Sequence, residues 1–134
     1  MARSEKFKRT FEKFEKAYNK FKEIIKSKEL FTFLSEELII EVTIKRFEYT
    51  FESMWKTLKE YLKDEGLDCP TPLKCFKETF KVGLIEENQE AIFIDMVEKR
   101  NLMVHIYDLK QSKDVYNFIN NEEVFSVIKN IYEK

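Results

Sequence analysis

The stretch Glu36–Asp64, EELIIEVTIKRFEYTFESMWKTLKEYLKD, decides the fold because it runs without glycine or proline. Apolar side chains recur along it at steps of three and four residues: Ile40, Ile44, Phe47, Phe51, Trp55, Leu58 and Leu62. This spacing predicts one amphipathic α-helix, about 43 Å long at about 1.5 Å per residue. Such a helix can be the spine of an all-α domain. On its edge, we expect Glu52 to form a surface ion pair with Lys56 one turn later.

A similar apolar stripe precedes this spine. Steps of three and four residues connect Phe7, Phe11, Phe14, Tyr18, Phe21 and Ile25. That pattern predicts a first helix that packs along its whole length. Ser35, followed by two glutamates, is the expected N-cap of the spine, since acidic residues are favoured in a first turn. Gly66 is its expected C-cap.

Three further helices are predicted after the connector at residues 66–72. Thr71 caps a short helix from Pro72 to Lys81, and Asn88 opens a fourth helix. The segment Ser112–Tyr132 closes the chain as a helix that bends at Asn120-Asn121. All four glycines and prolines fall between residues 66 and 83 of the 134, which also favours long helices over short strands. We therefore expect one all-α domain, residues 1–134, of four to five helices.

Charge is unevenly distributed, although the net charge is only −1. Residues 1–26 contain nine Lys or Arg against four Glu, whereas residues 86–98 contain five acidic side chains and no basic one. The favoured interpretation is a set of solvated helix faces. The alternative is a basic flank that meets phosphate.

Cys69 and Cys75 lie in the turn-rich connector, without the paired spacing or histidine partners of a zinc site. We predict free thiols, with a local disulfide as the alternative, and no metal site. The chain opens with a charged amphipathic pattern rather than a signal peptide. It has no apolar run near the roughly 20 residues that span a bilayer. These features predict a cytoplasmic protein with no membrane association.

The fourth helix directs an arginine towards the core. Successive helical residues lie about 100° apart around the axis. With Ile92 at zero, the apolar stripe is centred at about 70°, and Arg100 falls at about 80°. Ile92 shares this stripe with Phe93, Met96, Val97, Met103 and Val104. A buried guanidinium without a partner is strongly unfavourable. Arg100 must therefore meet a carboxylate, reach a crevice or face a partner subunit.

The same helix carries the chain's one histidine, His105, four residues after Asn101. These two share a face, so the Asn101 amide can help to fix the imidazole tautomer. Arg100 and His105 instead point about 140° apart and are separated by about 7.5 Å along a straight helix. Convergence on one phosphate needs either a helix distortion near residues 104–107 or a second chain. We favour a homodimer with these residues lining a cleft between copies.

These residue types suit metal-independent phosphodiester chemistry. His105 is the candidate general acid or base, Arg100 would stabilise developing phosphate charge, and Asn101 would position the reacting groups.

The pattern Arg100…His105-Ile106-Tyr107 resembles the HEPN superfamily, specifically the HEPN partners of minimal nucleotidyltransferases, also called nucleotidyltransferase substrate-binding proteins. Residues 46–59, 66–72 and 95–101 are also similar to that family. The resemblance implies an antiparallel up-and-down helical bundle that dimerises, with Arg100 and His105 at the cleft.

The resemblance further implies the toxin of a type VII toxin–antitoxin pair. Such a toxin is a ribonuclease, and a nucleotidyltransferase antitoxin encoded nearby neutralises it by transferring AMP from ATP to the motif tyrosine, here Tyr107. ATP would serve the partner, and the chain itself would need no cofactor. The alternative is a non-catalytic substrate-binding subunit of a two-component nucleotidyltransferase.

Overall fold

A computed structural model describes residues 4–103 and 109–133, which form six α-helices and no strand. The helices are α1 Glu5–Lys26, α2 Glu36–Asp64, α3 Pro72–Lys81, α4 Glu90–Met103, α5 Leu109–Ile119 and α6 Glu122–Glu133. Short 3₁₀ turns cover Lys28–Phe31 and Glu87–Gln89. The all-α prediction is confirmed, and α2 and α3 have the predicted bounds. The second 3₁₀ turn delays the start of α4 by two residues beyond Asn88.

The ends of α2 are closed as the sequence predicts. The Ser35 hydroxyl accepts a hydrogen bond of 3.2 Å from the Leu38 N–H. At the other end Gly66 has a φ of 85°, a conformation that residues with a Cβ rarely adopt. This turn allows the Leu67 N–H to donate to the Leu62 carbonyl at 2.8 Å. The capped helix then gives way to the connector before α3.

Helices α1 and α2 form an antiparallel pair. Lys6 near the start of α1 pairs with Glu60 near the end of α2 at 3.2 Å. Midway along, the Thr50 hydroxyl lies 3.1 Å from the Ala17 carbonyl and also donates within α2. Small side chains at this crossing bring the two backbones close together. The pair is therefore in contact over most of the length of α1.

Phenylalanine rings connect α2 to the helix that carries Arg100. The Phe51 ring lies 5.8 Å from Phe76 of α3, and Phe76 lies 4.8 Å from Phe93 of α4. All three side chains are fully buried. Aromatic pairs at these separations add to the stabilisation that burial provides. The position of α4 relative to α2 is consequently fixed by the core.

The closing segment divides into α5 and α6, which explains why there is one helix more than the upper limit predicted. The division falls at Asn120-Asn121, where a bend is predicted. The Asn121 side chain accepts a hydrogen bond of 2.8 Å from the Glu123 N–H. An asparagine that satisfies a free N–H at a helix start favours a new helix over continuation of the old one. Helix α6 then packs against α1, where the Tyr132 hydroxyl donates to Glu15 at 2.7 Å.

The connector between α2 and α3 corrects the prediction of free thiols. Cys69 and Cys75 are joined by a disulfide, with their Cα atoms 5.0 Å apart. Pro70 and Pro72 turn the chain so that Cys69 faces the first turn of α3, where Cys75 lies. Both cysteines are fully buried. The argument from free thiols to a reducing compartment therefore loses its support.

None of the helices in the described ranges is long and apolar enough to cross a membrane.

Candidate functional site

Arg100 lies in the last turn of α4 and reaches across to α2. Its Nη2 donates to Glu52 Oε1, and its guanidinium carbon lies 5.7 Å from the centre of the Phe51 ring. The arginine side chain is 33% exposed and that of Glu52 is 34% exposed. Of the three surroundings expected for this arginine, the described residues provide the first, a carboxylate. One part of the guanidinium is held against the core while another part faces solvent.

Glu52 is the residue that organises this site. Its Oε2 accepts a hydrogen bond of 3.2 Å from the indole N–H of Trp55, one turn further along α2. The carboxylate therefore has one oxygen on the arginine and the other on the indole. The predicted ion pair between Glu52 and Lys56 is wrong, because the longer-range partner on α4 takes the carboxylate instead.

Asn101 is exposed and lies beside Arg100. The Arg100 Nη1 donates to the Asn101 Oδ1 at 3.4 Å. Two of the three predicted catalytic side chains are thus in contact at the end of α4. His105 and Tyr107 lie outside the described residues, so the predicted convergence of Arg100, Asn101 and His105 stays a prediction.

The remaining hydrogen-bonding capacity of Arg100 allows it to hold an anion. A guanidinium has five N–H donors, and contacts to Glu52 and Asn101 use only part of them. Arginine suits phosphate because its planar fork can donate two parallel hydrogen bonds. Glu52 holds the guanidinium in one orientation, which reduces the entropy lost when a ligand binds. The arrangement can therefore recognise a phosphate that approaches from solvent.

The sequence indicates that Glu52 forms an ion pair, but it predicts the wrong partner for this carboxylate. An arginine in the stripe of one helix needs a carboxylate at the edge of another, and α2 offers Glu48 and Glu52 beside its own stripe. The spacing within α2 favours Lys56 as the partner of Glu52, whereas the packing of α4 against α2 brings Arg100 to it. Trp55 carried no signal beyond its place in the apolar stripe.

No group of three or more His, Cys, Asp or Glu side chains that could hold a metal ion occurs within residues 4–103 and 109–133.

Comparison with known proteins identifies the family. The model of the family described as nucleotidyltransferase substrate binding protein like matches residues 9–134. The chain belongs to this family. The match begins within α1 and includes α2 to α6 and the Arg100 site. No curated protein sequence matches the chain.

A solved structure supports the fold of this substrate-binding-like family member. A crystal structure of a protein from Thermus thermophilus is similar to it with a TM-score of 0.75 and 28% sequence identity. The similarity covers 88% of this chain and 94% of that chain. The helical bundle is thus shared over nearly the full length of both proteins.

Proposed function

We propose that this protein is a HEPN toxin that cleaves RNA without a metal ion, in a cleft between two copies of the chain. The observation that carries the proposal is the Arg100 site, where Glu52 orients the guanidinium beside Asn101 and leaves it partly exposed. An oriented arginine stabilises the charge that develops on a phosphate during cleavage. The sequence places His105 one turn after Asn101.

The chemistry would be an internal transfer within RNA. The ribose 2′-hydroxyl attacks the neighbouring phosphorus and its proton passes to His105. The bond to the 5′-oxygen breaks, that oxygen takes a proton from water, and a 2′,3′-cyclic phosphate is left on the other fragment. Arg100 would neutralise the non-bridging oxygens as charge builds on them. Histidine suits proton transfer because its ordinary pKa of about 6.5 lies near neutral pH.

The test of catalysis is RNA degradation by purified protein in EDTA. We expect wild type and Lys77→Ala, a control at an exposed position on α3, to degrade RNA at equal rates. His105→Ala should lose activity by about 100-fold or more, since general acid–base catalysis contributes about that much. Equal degradation by wild type and His105→Ala, or none by either across several RNAs, would defeat the catalytic assignment.

Regulation would act through Tyr107. An AMP group on its hydroxyl adds bulk and negative charge where substrate phosphate would bind, so the modified protein should be inactive. Incubation with a nucleotidyltransferase encoded nearby and ATP, followed by mass spectrometry, should find one or more AMP groups on wild type and none on Tyr107→Phe. An adduct that persists in Tyr107→Phe would refute the assignment.

The family match favours a second candidate, a non-catalytic subunit that presents substrate to a nucleotidyltransferase. In that case the two proteins would form a stable complex without RNase activity. The transferase would then act on a small molecule only when this chain is present. Co-expression with and without the adjacent transferase separates the two candidates, because only a toxin would inhibit growth when expressed alone.

A further inference from the structure

A basic groove follows the contact between α1 and α2 on an outer face of the bundle. Its basic lining consists of Lys6, Arg9, Lys13, Lys16 and Lys20 from α1, with Arg46, Lys56 and Lys59 from α2. Two depressions of about 430 and 200 Å³ form its floor. Because α1 and α2 are antiparallel, the depressions follow one another along the same helix pair.

The charge of the basic groove is largely uncompensated. Glu60 is the one carboxylate among the described residues that line it, and Glu60 is already paired with Lys6 at 3.2 Å. Within the described ranges, Arg9, Lys13 and Lys56 form no ion pair. The whole chain has a net charge of −1, so the rest of it is net acidic. Such a concentration of positive charge on one face attracts a polyanion.

Two aromatic rings lie among these cations. Tyr49 is 61% exposed and lines the smaller depression, and Trp55 lines the larger one. They are six residues apart on α2, which corresponds to about 9 Å along the helix. A positively charged groove with aromatic side chains is the combination that binds single-stranded nucleic acid, because phosphates meet the cations and bases stack on the rings. Binding to an acidic protein surface would require the positive charges but not the aromatic rings.

Trp55 connects the basic groove to the candidate site. While its ring lines the groove, its indole N–H donates to Glu52, the carboxylate that holds Arg100. Since Glu52 lies between Tyr49 and Trp55 on α2, a strand in the basic groove would pass beside the Glu52–Arg100 pair. From Lys6 to Lys20 the groove extends about 21 Å, which is long enough for a few nucleotides of a single strand.

We infer that the basic groove binds a single-stranded segment of RNA, with phosphates on its lysines and arginines and bases stacked on Tyr49 and Trp55. Such a strand passes beside the Glu52–Arg100 pair. This inference rests on the proposed function in taking RNA as the substrate class, and it adds the surface that holds the substrate outside the cleft.

The test is the affinity for a fluorescein-labelled single-stranded RNA whose 2′-hydroxyls are methylated, so that the proposed attack by the 2′-oxygen cannot occur, measured by anisotropy over a range of salt concentrations. The groove variant is Arg9→Gln/Lys13→Gln/Lys56→Gln. Its matched control, Lys22→Gln/Lys74→Gln/Lys77→Gln, removes the same charge from exposed positions outside the groove. We expect the groove variant to bind at least about tenfold more weakly, and its slope of log Kd against log salt to fall by about 2. The control should stay within about twofold of wild type.

Stacking gives a second measurement that does not depend on charge. Tyr49→Ala should weaken RNA binding by about tenfold, whereas Tyr49→Phe, which keeps the ring, should bind like wild type. Because Tyr49 is mostly exposed, both variants should fold. They therefore test the inference even if the triple groove variant does not fold.

Equal losses in the groove variant and its control, or no RNA binding by wild type, would overturn the inference. A groove variant that binds RNA normally but no longer binds the nucleotidyltransferase would identify a protein interface instead. Cleavage of the unmodified RNA is measured with the same protein preparations, so the two proposals fail separately. Groove-dependent binding without cleavage would refute the RNase, and cleavage with undiminished binding by the groove variant would refute the groove.

Discussion

At the scale of single residues, Glu52 is the side chain on which the candidate site depends. It accepts hydrogen bonds from Arg100 on α4 and from Trp55 on its own helix. Both partners of the ion pair are about one-third exposed, so solvent screens part of their attraction. We therefore expect the pair to add little to the free energy of unfolding. Its main effect should be to orient the guanidinium.

A double-mutant cycle with Glu52→Gln and Arg100→Met measures that contribution. We expect a coupling free energy of about 1 kcal/mol in urea unfolding, at the upper end for exposed pairs. The control is the exposed pair Lys45–Glu48, which is separated by 3.2 Å within one helix and should couple by less than about 0.5 kcal/mol. Equal coupling in the two cycles would mean that the Arg100 contact has no special structural role.

Tyr132 should make the stability of the bundle sensitive to alkaline pH. Its hydrogen bond to Glu15 is the main cause that raises the pKa of this phenol, and burial adds to the effect. The folded protein thus keeps the proton to a higher pH than the unfolded chain does. The resulting stabilisation is complete below the unfolded pKa of about 10 and is lost as pH rises through the folded value.

Replacement of Tyr132 by Phe should therefore flatten the fall in melting temperature between about pH 9 and about pH 11. Tyr18, whose pKa is raised first by burial and then by the charge of Glu133, should retain part of the slope. Glu15→Gln is the matched variant, since it removes the carboxylate but keeps the phenol. If the melting temperatures of wild type and Tyr132→Phe fall in parallel as the pH rises across this range, the link between Tyr132 ionisation and stability is ruled out.

At the residue scale, the sequence predicts that Arg100 needs a partner but does not identify which residue it is. Angular spacing places Arg100 in an apolar stripe, where it needs a carboxylate, a crevice or a partner subunit. Glu52 is the partner of Arg100 because α3 positions α4 against α2 through Phe76. That packing cannot be predicted from the sequence of one helix alone. The same limit explains why Lys56, near in sequence, was preferred.

At the scale of elements, the end of α2 depends on one glycine conformation. Gly66 has a φ of 85°, and a Cβ there would meet no atom within 4 Å. Gly66→Ala should therefore destabilise through backbone strain alone, by about 1 kcal/mol. Gly66→Asn should cost less, because asparagine tolerates this conformation better. Urea denaturation of both variants checks this, and equal stability of Ala and Gly at this position would contradict it.

The disulfide between Cys69 and Cys75 should stabilise the connector that leads from α2 to α3. Closing a loop of about seven residues reduces the entropy of the unfolded chain, which corresponds to about 2 kcal/mol. Dithiothreitol should therefore lower the melting temperature of wild type. The Cys69→Ala/Cys75→Ala variant is the control, because the reductant should leave it unchanged. An equal effect of dithiothreitol on both proteins would show that it acts elsewhere.

Element boundaries were predictable where a residue type forces them. Ser35, Gly66 and Pro72 mark the ends of α2 and the start of α3 because their side chains or backbone freedom act locally. The sequence favours free thiols over the disulfide, because a spacing of six residues is compatible with both. The path of the chain through Pro70 and Pro72 decides between them, and it is seen only in the structure. Asn120-Asn121 indicated a bend but not that Asn121 caps a separate helix.

At the scale of the whole molecule, the basic groove shows what only the fold could reveal. The excess of lysine and arginine near the start of the chain was visible, and solvated helix faces were its favoured interpretation. The antiparallel pairing of α1 with α2 brings a second set of cations, from Arg46 to Lys59, to the same face. Charges far apart in sequence thereby form one surface.

The proposed dimer makes a prediction about how two inactive chains combine. On a straight helix Arg100 and His105 point in different directions, so within one chain they cannot reach the same phosphate. In a symmetric dimer Arg100 of one copy would meet His105 of the other, and the reverse contact would form the second site. Arg100→Ala and His105→Ala should each be inactive when expressed alone.

Co-expression of these two variants with different tags, followed by purification through both tags, isolates the mixed dimer. One of its two sites lacks both residues and the other has both, so it should recover about half of wild-type RNase activity. If the two residues instead act within one chain, through a distorted helix, neither chain of the mixed dimer has a complete set and activity stays at the level of the single variants. A mixed dimer of wild type with Arg100→Ala is the control, and both arrangements predict that it keeps about half of the activity. Failure to isolate any mixed dimer, with each variant eluting as a monomer, would refute a site shared between two chains.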